Sequence, residues 1–157
     1  MSKIKVLMID DNISLVEMVK EYFKENQKIE LSLEAYNGED GLNMILNKEN
    51  EYDVILLDII MPKKDGLYVL DELYKRNISK KIIVQTSYNA PDVIRKVSEY
   101  GVNYYILKPF DLLELEKRIL ETFDITNSKS INLYQSNLQK SITNMLHELG
   151  MPSHIKG

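Results

Sequence analysis

The chain lacks cysteine altogether, and only two of its 157 residues are histidine. Without cysteine it has neither a disulfide framework nor a thiolate metal site. His147 and His154 lack partner ligands, so we expect no zinc site there. No apolar run approaches the ~20 residues that cross a bilayer, and the N-terminus lacks the apolar stretch of a signal peptide. We therefore expect a cytoplasmic protein without membrane contact.

A large excess of basic charge is also missing. The net charge is −4 at pH 7, with 44% hydrophobic and 28% charged residues, a balance typical of globular proteins. The charge is uneven, because residues 125–157 carry +2, which leaves −6 for the first 124 residues. An acidic main domain is a poor nucleic-acid binder by itself.

Strand-like and helix-like segments alternate up to about residue 124. The predicted strands are Val6–Ile9, Ile29–Leu33, Val54–Leu57, Ile82–Val84 and Tyr104–Leu107. Helices are predicted over residues 14–25 and 39–48, on Leu67 to Tyr74, from Pro91 to Gly101, and after Asp111, which has capping-box spacing to Glu114. This alternation implies a parallel sheet covered on both faces, with ligands bound at the carboxyl ends of its strands.

Polar residues stand where four of the predicted strands end. Asp10 and Asp11 end the first strand, Asp58 the third, Thr86 the fourth and Lys108 the fifth. Parallel strands place all these ends on one edge of the sheet, and we expect the first and third strands to be neighbours. Three carboxylates should therefore converge in one pocket.

Close carboxylates repel one another and raise each other's pKa unless a cation lies between them. An all-oxygen ligand set favours Mg²⁺ over Zn²⁺, and Mg²⁺ usually shares phosphate oxygens as well. An ionised aspartate can accept a phosphoryl group directly, without a general base. Mg²⁺, the Lys108 ammonium and the Thr86 hydroxyl could then each neutralise one phosphoryl oxygen.

A simpler interpretation applies to each of these residues alone. An aspartate after an apolar strand is often a solvated loop residue or a helix N-cap. Asp53 lies at the other end of the third predicted strand, away from the pocket, and we interpret it as structural. The four polar strand ends together favour a functional site.

The motifs in order resemble two-component receiver domains over residues 3–124. They are Asp10-Asp11, Asp58 with Met61-Pro62 and Asp65-Gly66, Thr86-Ser87, and Lys108-Pro109-Phe110. The resemblance implies a flavodoxin-like α/β fold, (βα)5, with a doubly wound parallel sheet in strand order 2-1-3-4-5. Two departures are minor: Gly41 and Ser87 stand where the family usually has alanine. Of the adjacent hydroxyls, we favour Thr86 as the functional one.

The resemblance assigns a role to each pocket residue. It implies that Asp58 is phosphorylated and that Lys108 pairs with the phosphoryl group. Asp11, Asp58 and the backbone carbonyl of Ile60 would hold Mg²⁺ or another divalent cation, with Asp10 acting mainly through water.

The same resemblance implies a switch, in which Thr86 moves toward the phosphoryl group and Tyr105 follows. Tyr105 could instead be an ordinary strand tyrosine with a solvated hydroxyl. The implied partners are a histidine kinase or histidine phosphotransferase as donor, and a second copy in a phosphorylation-dependent homodimer. The protein would not be an enzyme in the ordinary sense, since it catalyses only its own phosphorylation and dephosphorylation.

The last 33 residues predict a different unit. We expect residues 1–124 to form the receiver, 125–137 a polar linker, and 138–157 a helix ending at Gly150 and a following loop. The segment His147–Gly157 resembles the opening of the DNA-binding effector domain of sporulation-controlling response regulators. This resemblance implies a truncated effector, with DNA bound only through its missing part.

Three alternatives use the same or a similar fold without DNA output. A stand-alone phosphotransfer shuttle would fit residues 1–124, but the linker and the appended helix argue against it. A receiver that only binds proteins is a further alternative. A flavin-binding carrier would need a Ser-, Thr- and Gly-rich phosphate loop after the first strand. Asp10-Asp11-Asn12 stands there instead and would repel a phosphate without a metal.

Overall fold

A computed structural model describes residues 2–87 and 91–124, so the predicted linker and effector helix lie outside the described residues. Within these ranges the strands are β1 (Ile4–Ile9), β2 (Ile29–Ala35), β3 (Val54–Asp58), β4 (Ile82–Thr86) and β5 (Tyr104–Leu107). The α-helices there are α1 (Ile13–Phe23), α2 (Gly38–Asn47), α3 (Gly66–Lys75), α4 (Pro91–Glu99) and α5 (Leu112–Phe123), and a 3-10 turn covers Glu49–Glu51. None of these described helices is long and apolar enough to cross a membrane.

The described strands form one parallel sheet in the order β2-β1-β3-β4-β5. Ile9 of β1 pairs with Leu57 of β3, which brings the ends of these two strands side by side. Asp58 in turn pairs with Gln85 of β4. The predicted flavodoxin-like fold and the expected pairing of the first and third strands are confirmed.

Two apolar layers cover the sheet, because successive strand side chains point to opposite faces. One layer contains Leu7, Ile55 and Val84 together with buried residues of α2, α3 and α4. The other contains Met8 and Ile83 with buried residues of α1 and α5. The continuous apolar runs of β1, β3 and β4 follow from burial on both faces.

The predicted helices form, with small differences at their ends. Asp111 caps α5 by accepting from the Leu113 N–H at 2.9 Å, while Glu114 pairs with Arg118 rather than completing the capping box. α4 ends at Glu99, and Gly101 lies beyond it with φ +74, in the left-handed region that suits glycine. Tyr74, near the end of α3, is 69% exposed.

Gly41 has a packing role inside α2, where glycine costs roughly 1 kcal/mol relative to alanine. A Cβ at this position would lie 2.7 Å from Cδ1 and 2.8 Å from Cγ2 of Ile9. Ile9 is fully buried on β1. The glycine therefore lets α2 approach β1, the strand that Asp10 and Asp11 follow.

Candidate functional site

The carboxyl-end edge of the sheet collects the polar residues predicted from the strand ends. Asp10 directly follows β1, Asp58 is the last residue of β3, and Thr86 is the last residue of β4. Lys108 directly follows β5, and its backbone N–H donates to the Thr86 carbonyl at 2.9 Å. The parallel topology thus brings the predicted residues to one pocket.

Three carboxylates converge there, as the sequence predicts. Asp10, Asp11 and Asp58 each offer one oxygen, and these oxygens all lie within 4.8 Å of one another. Asp10 and Asp58 are buried, whereas Asp11 is exposed at the rim. The donor set is all-oxygen and partly open to solvent, which suits a hard cation that keeps several waters.

Lys108 already neutralises part of this charge. Its Nζ lies 2.6 Å from Oδ2 of Asp10 and 3.2 Å from Oδ2 of Asp58. Burial lowers the pKa of Lys108, but the two carboxylates outweigh it and hold the pKa above its ordinary value. The ammonium is therefore charged and shared between two strand ends.

The ionised form of Asp58 remains disfavoured despite this lysine. Burial, followed by the negative charge of Asp10, raises the pKa of the Asp58 carboxyl, and Lys108 only partly offsets the effect. A divalent cation among these oxygens would favour the ionised form. The residues therefore fit Mg²⁺, with Asp10, Asp11 and Asp58 as the acidic cluster.

The β3–α3 loop folds closely over Asp58. The Ile60 N–H donates to Oδ1 of Asp58 at 3.4 Å, and the Gly66 N–H donates to the Ile59 carbonyl at 2.8 Å. A Cβ on Gly66 would lie 2.3 Å from the backbone oxygen of Asp58, so only glycine fits this approach. Asp65 caps α3 through the Tyr68 N–H. That the Ile60 carbonyl ligates a metal stays a prediction.

Gln85 is a site residue that the sequence reasoning missed. Its Nε2 donates to Oδ2 of Asp10 at 2.8 Å, and the Asn12 N–H donates to Oδ1 of the same carboxylate at 2.8 Å. Gln85 is fully buried on β4. The available signal was a long amide inside an otherwise apolar strand, directly before Thr86.

Thr86 and Tyr105 both point away from solvent. Thr86 is fully buried and Tyr105 is 4% exposed. Burial, and then the charge of Asp58, raise the pKa of Tyr105 to about 12. The role of Tyr105 in a switch stays a prediction.

Comparison with known proteins agrees with this geometry. Residues 6–120 match the family described as response regulator receiver domain. The receiver domain of Francisella response regulator 1452 is 31% identical, with a TM-score of 0.71, and the match covers 80% of this chain and 100% of that chain. A DNA-binding response regulator of the LuxR family from Staphylococcus aureus is 27% identical, with a TM-score of 0.69 over 77% of this chain and 99% of that chain.

A more distant structure shares the fold. It is a CheX–CheY complex with BeF3 and Mg²⁺ from Borrelia burgdorferi, matched at 23% identity and a TM-score of 0.69 over 76% of this chain and 89% of that chain. The fold, the acidic cluster and the family match together define the class of protein. The chain belongs to the response regulator receiver family of two-component systems.

Proposed function

We propose that this receiver accepts a phosphoryl group on Asp58 from a histidine kinase or histidine phosphotransferase, in a Mg²⁺-dependent reaction in the cytoplasm. The observation that carries the proposal is the placement of the Asp58 carboxylate. It lies buried at the end of β3, 3.2 Å from the Lys108 ammonium and beside two further carboxylates. A nucleophilic oxygen thus lies beside a lysine ammonium and an acidic cluster that could hold a cation, and these positive charges would neutralise the phosphoryl oxygens.

The chemical step needs no general base, because the Asp58 carboxylate is the nucleophile. One of its oxygens attacks phosphorus while the phosphorus–nitrogen bond of the donor histidine breaks, and the electron pair of that bond stays on the imidazole. Lys108 neutralises one phosphoryl oxygen and the Thr86 hydroxyl donates to another. Mg²⁺, held by Asp11, Asp58 and the Ile60 carbonyl with Asp10 acting mainly through water, would supply further charge neutralisation.

The output is a switch on the face formed by α4, β5 and α5. Thr86 ends β4, and Tyr105 lies on the neighbouring β5. A phosphoryl group draws Thr86 inward, Tyr105 follows, and the altered face supports homodimerisation or releases an effector.

The effector that we propose regulates transcription in sporulation. His147–Gly157 resembles the opening of the effector domain of stage zero sporulation protein A, and residues 104–111 resemble its receiver. DNA binding would then reside in the effector rather than in residues 1–124, which carry a net charge of −6.

Intact-mass measurement after incubation with acetyl phosphate and Mg²⁺ tests the proposal. We expect a single phosphoryl adduct, lost in Asp58→Asn and in a chelated sample. Asp53→Asn is the matched control, because Asp53 lies before the same strand and accepts only from the Lys5 backbone N–H among the hydrogen bonds of the described residues, at 2.8 Å. An adduct that persists in Asp58→Asn, or no adduct in the unaltered protein, would overturn the proposal.

A further inference from the structure

The Asp10 carboxylate is held by donors from three separate parts of the chain. Oδ1 accepts from the Asn12 N–H at 2.8 Å. Oδ2 accepts from Lys108 Nζ at 2.6 Å and from Gln85 Nε2 at 2.8 Å. Asp10 is fully buried, so these hydrogen bonds replace the water that would otherwise solvate its carboxylate.

Gln85 is an unusual residue for its position. It is fully buried on a central strand, next to Val84 and in line with Ile83, which packs in the apolar layer of α1 and α5. Among the described residues, no donor reaches its Oε1. A buried amide oxygen without a partner disfavours folding, whereas an apolar side chain of similar length would not carry that penalty. The hydrogen bond from Nε2 to Asp10 is the contact that an apolar side chain could not make.

Lys108 and Gln85 donate to the same oxygen, Oδ2 of Asp10. The ammonium lies closer to Asp10 than to Asp58, at 2.6 Å against 3.2 Å. A phosphoryl group on Asp58 would draw the ammonium toward its own oxygens and so weaken the 2.6 Å contact with Oδ2 of Asp10. Without Gln85, Lys108 would be the only donor to Oδ2 of Asp10 among the described residues, and the buried carboxylate would then hold the lysine back.

We propose that Gln85 is a positioning residue, which keeps the Asp10 carboxylate fixed and hydrogen-bonded so that Lys108 is free to leave it for the phosphoryl group. This inference rests on the function proposed for Asp58. Gln85 approaches from the sheet interior, through the β4 register that pairs it with Asp58, and so does not block the open side of the pocket. Residues that orient a metal-binding carboxylate in this way act on affinity and rate through that carboxylate.

The test replaces Gln85 with methionine, which keeps the length of the side chain and removes the donor. In the full chain we expect the rate of phosphoryl transfer from acetyl phosphate, which forms the Asp58 O–P bond and releases acetate, to fall about 10-fold to 100-fold. We expect the Mg²⁺ dissociation constant, measured by calorimetry without any phosphodonor, to rise at least about 10-fold. Gln85→Asn keeps an amide that is too short to reach Asp10, and should show the same two losses.

Two controls separate positioning from a general packing effect. Ile83→Val alters the same face of β4 without touching Asp10, and should leave both quantities essentially unchanged. A double-mutant cycle with Asp10→Asn, scored by Mg²⁺ affinity, gives the sharper distinction. If Gln85 acts through Asp10, then Gln85→Met has no further effect in the Asp10→Asn background.

The outcomes decide the inference independently of the proposed function. Equal Mg²⁺ affinity in Gln85→Met and the unaltered protein, or an equal factor in both backgrounds of the cycle, would overturn it. If the unaltered protein took up no phosphoryl group, the proposed function would fail, and the Mg²⁺ titrations would still show whether Gln85 positions Asp10.

Discussion

The Lys108 ammonium lies 2.6 Å from Oδ2 of Asp10, in an ion pair that joins the end of β5 to the end of β1. The Asp10 carboxylate is fully buried, and the Lys108 side chain is 18% exposed. A buried pair adds little net stability, but losing one partner leaves an uncompensated charge. The same ammonium lies 3.2 Å from Asp58, so a metal bound by this acidic cluster would compete with the lysine for the same carboxylates.

Replacing Lys108 with methionine tests that competition. We expect Mg²⁺ to bind at least about 10-fold more tightly, because removing a cation a few ångströms away is worth more than about 1.4 kcal/mol. Phosphorylation should slow about 100-fold, since no ammonium neutralises the phosphoryl oxygens. The metal-free free energy of unfolding should fall by about 3 kcal/mol. Calorimetry, intact mass and urea denaturation measure these three quantities.

Lys80→Met is the matched control for that substitution. Lys80 precedes β4 at the opposite edge of the sheet and pairs with Glu49 at 3.3 Å. Its replacement should alter neither Mg²⁺ affinity nor phosphorylation. Unchanged or weaker Mg²⁺ binding in Lys108→Met would show that the lysine and the metal do not share ligands.

Alkaline pH should destabilise the fold through Tyr104. Burial, and then its hydrogen bond to Glu121, raise the pKa of Tyr104 from 10.0 to about 12. The unfolded chain ionises first, so this stabilising contribution is complete below about pH 10 and is lost as pH rises toward about 12. The loss amounts to about 2 to 3 kcal/mol in the free energy of unfolding.

Tyr104→Phe should reduce that pH dependence, with a remainder from Tyr105, whose pKa is also raised to about 12. The variant starts about 1 kcal/mol less stable at neutral pH, because the 2.7 Å hydrogen bond to Glu121 is gone. Tyr74→Phe should keep the wild-type profile, since Tyr74 is 69% exposed. Denaturant unfolding across this pH range gives the comparison, and parallel profiles for the unaltered protein and Tyr104→Phe would contradict the expectation.

Gly41→Ala should destabilise the protein although alanine is the better helix former. The added Cβ would meet Cδ1 of Ile9 at 2.7 Å, and because Ile9 is fully buried its side chain can shift only by displacing its own packed neighbours. We expect overpacking to cost about 1 to 3 kcal/mol, more than the roughly 1 kcal/mol gained in helix propensity. Ile9→Val removes Cδ1, so the double variant should recover part of the loss. A stabilised Gly41→Ala in urea denaturation would refute this packing explanation.

The sheet and the pocket were predictable from sequence because both depend on short-range patterns. Apolar runs that stop at Asp10, Asp58 and Lys108 mark strand ends, and parallel pairing brings such ends together. The contact between Gln85 and Asp10 spans 75 residues and follows from strand register, which no local pattern specifies. The exposure of Tyr74 was not predictable for a related reason: helical spacing marks a face, and the edge of that face is set by the surrounding packing.

Gly66→Ala should damage the site and the fold together. A Cβ there would lie 2.3 Å from the Asp58 carbonyl oxygen and 2.8 Å from Cα of Ile59, and both are backbone atoms with little freedom to shift. The β3–α3 loop must then move away from Asp58, so we expect at least about 3 kcal/mol of lost stability and a phosphorylation rate reduced at least about 10-fold. Gly101→Ala is the control, because nothing lies within 4 Å of its Cβ and the cost of its positive φ is only about 1 to 2 kcal/mol. Urea denaturation and intact-mass kinetics measure both variants. If Gly66→Ala matched Gly101→Ala in stability and kept the wild-type rate, the close approach at Gly66 would have no functional consequence.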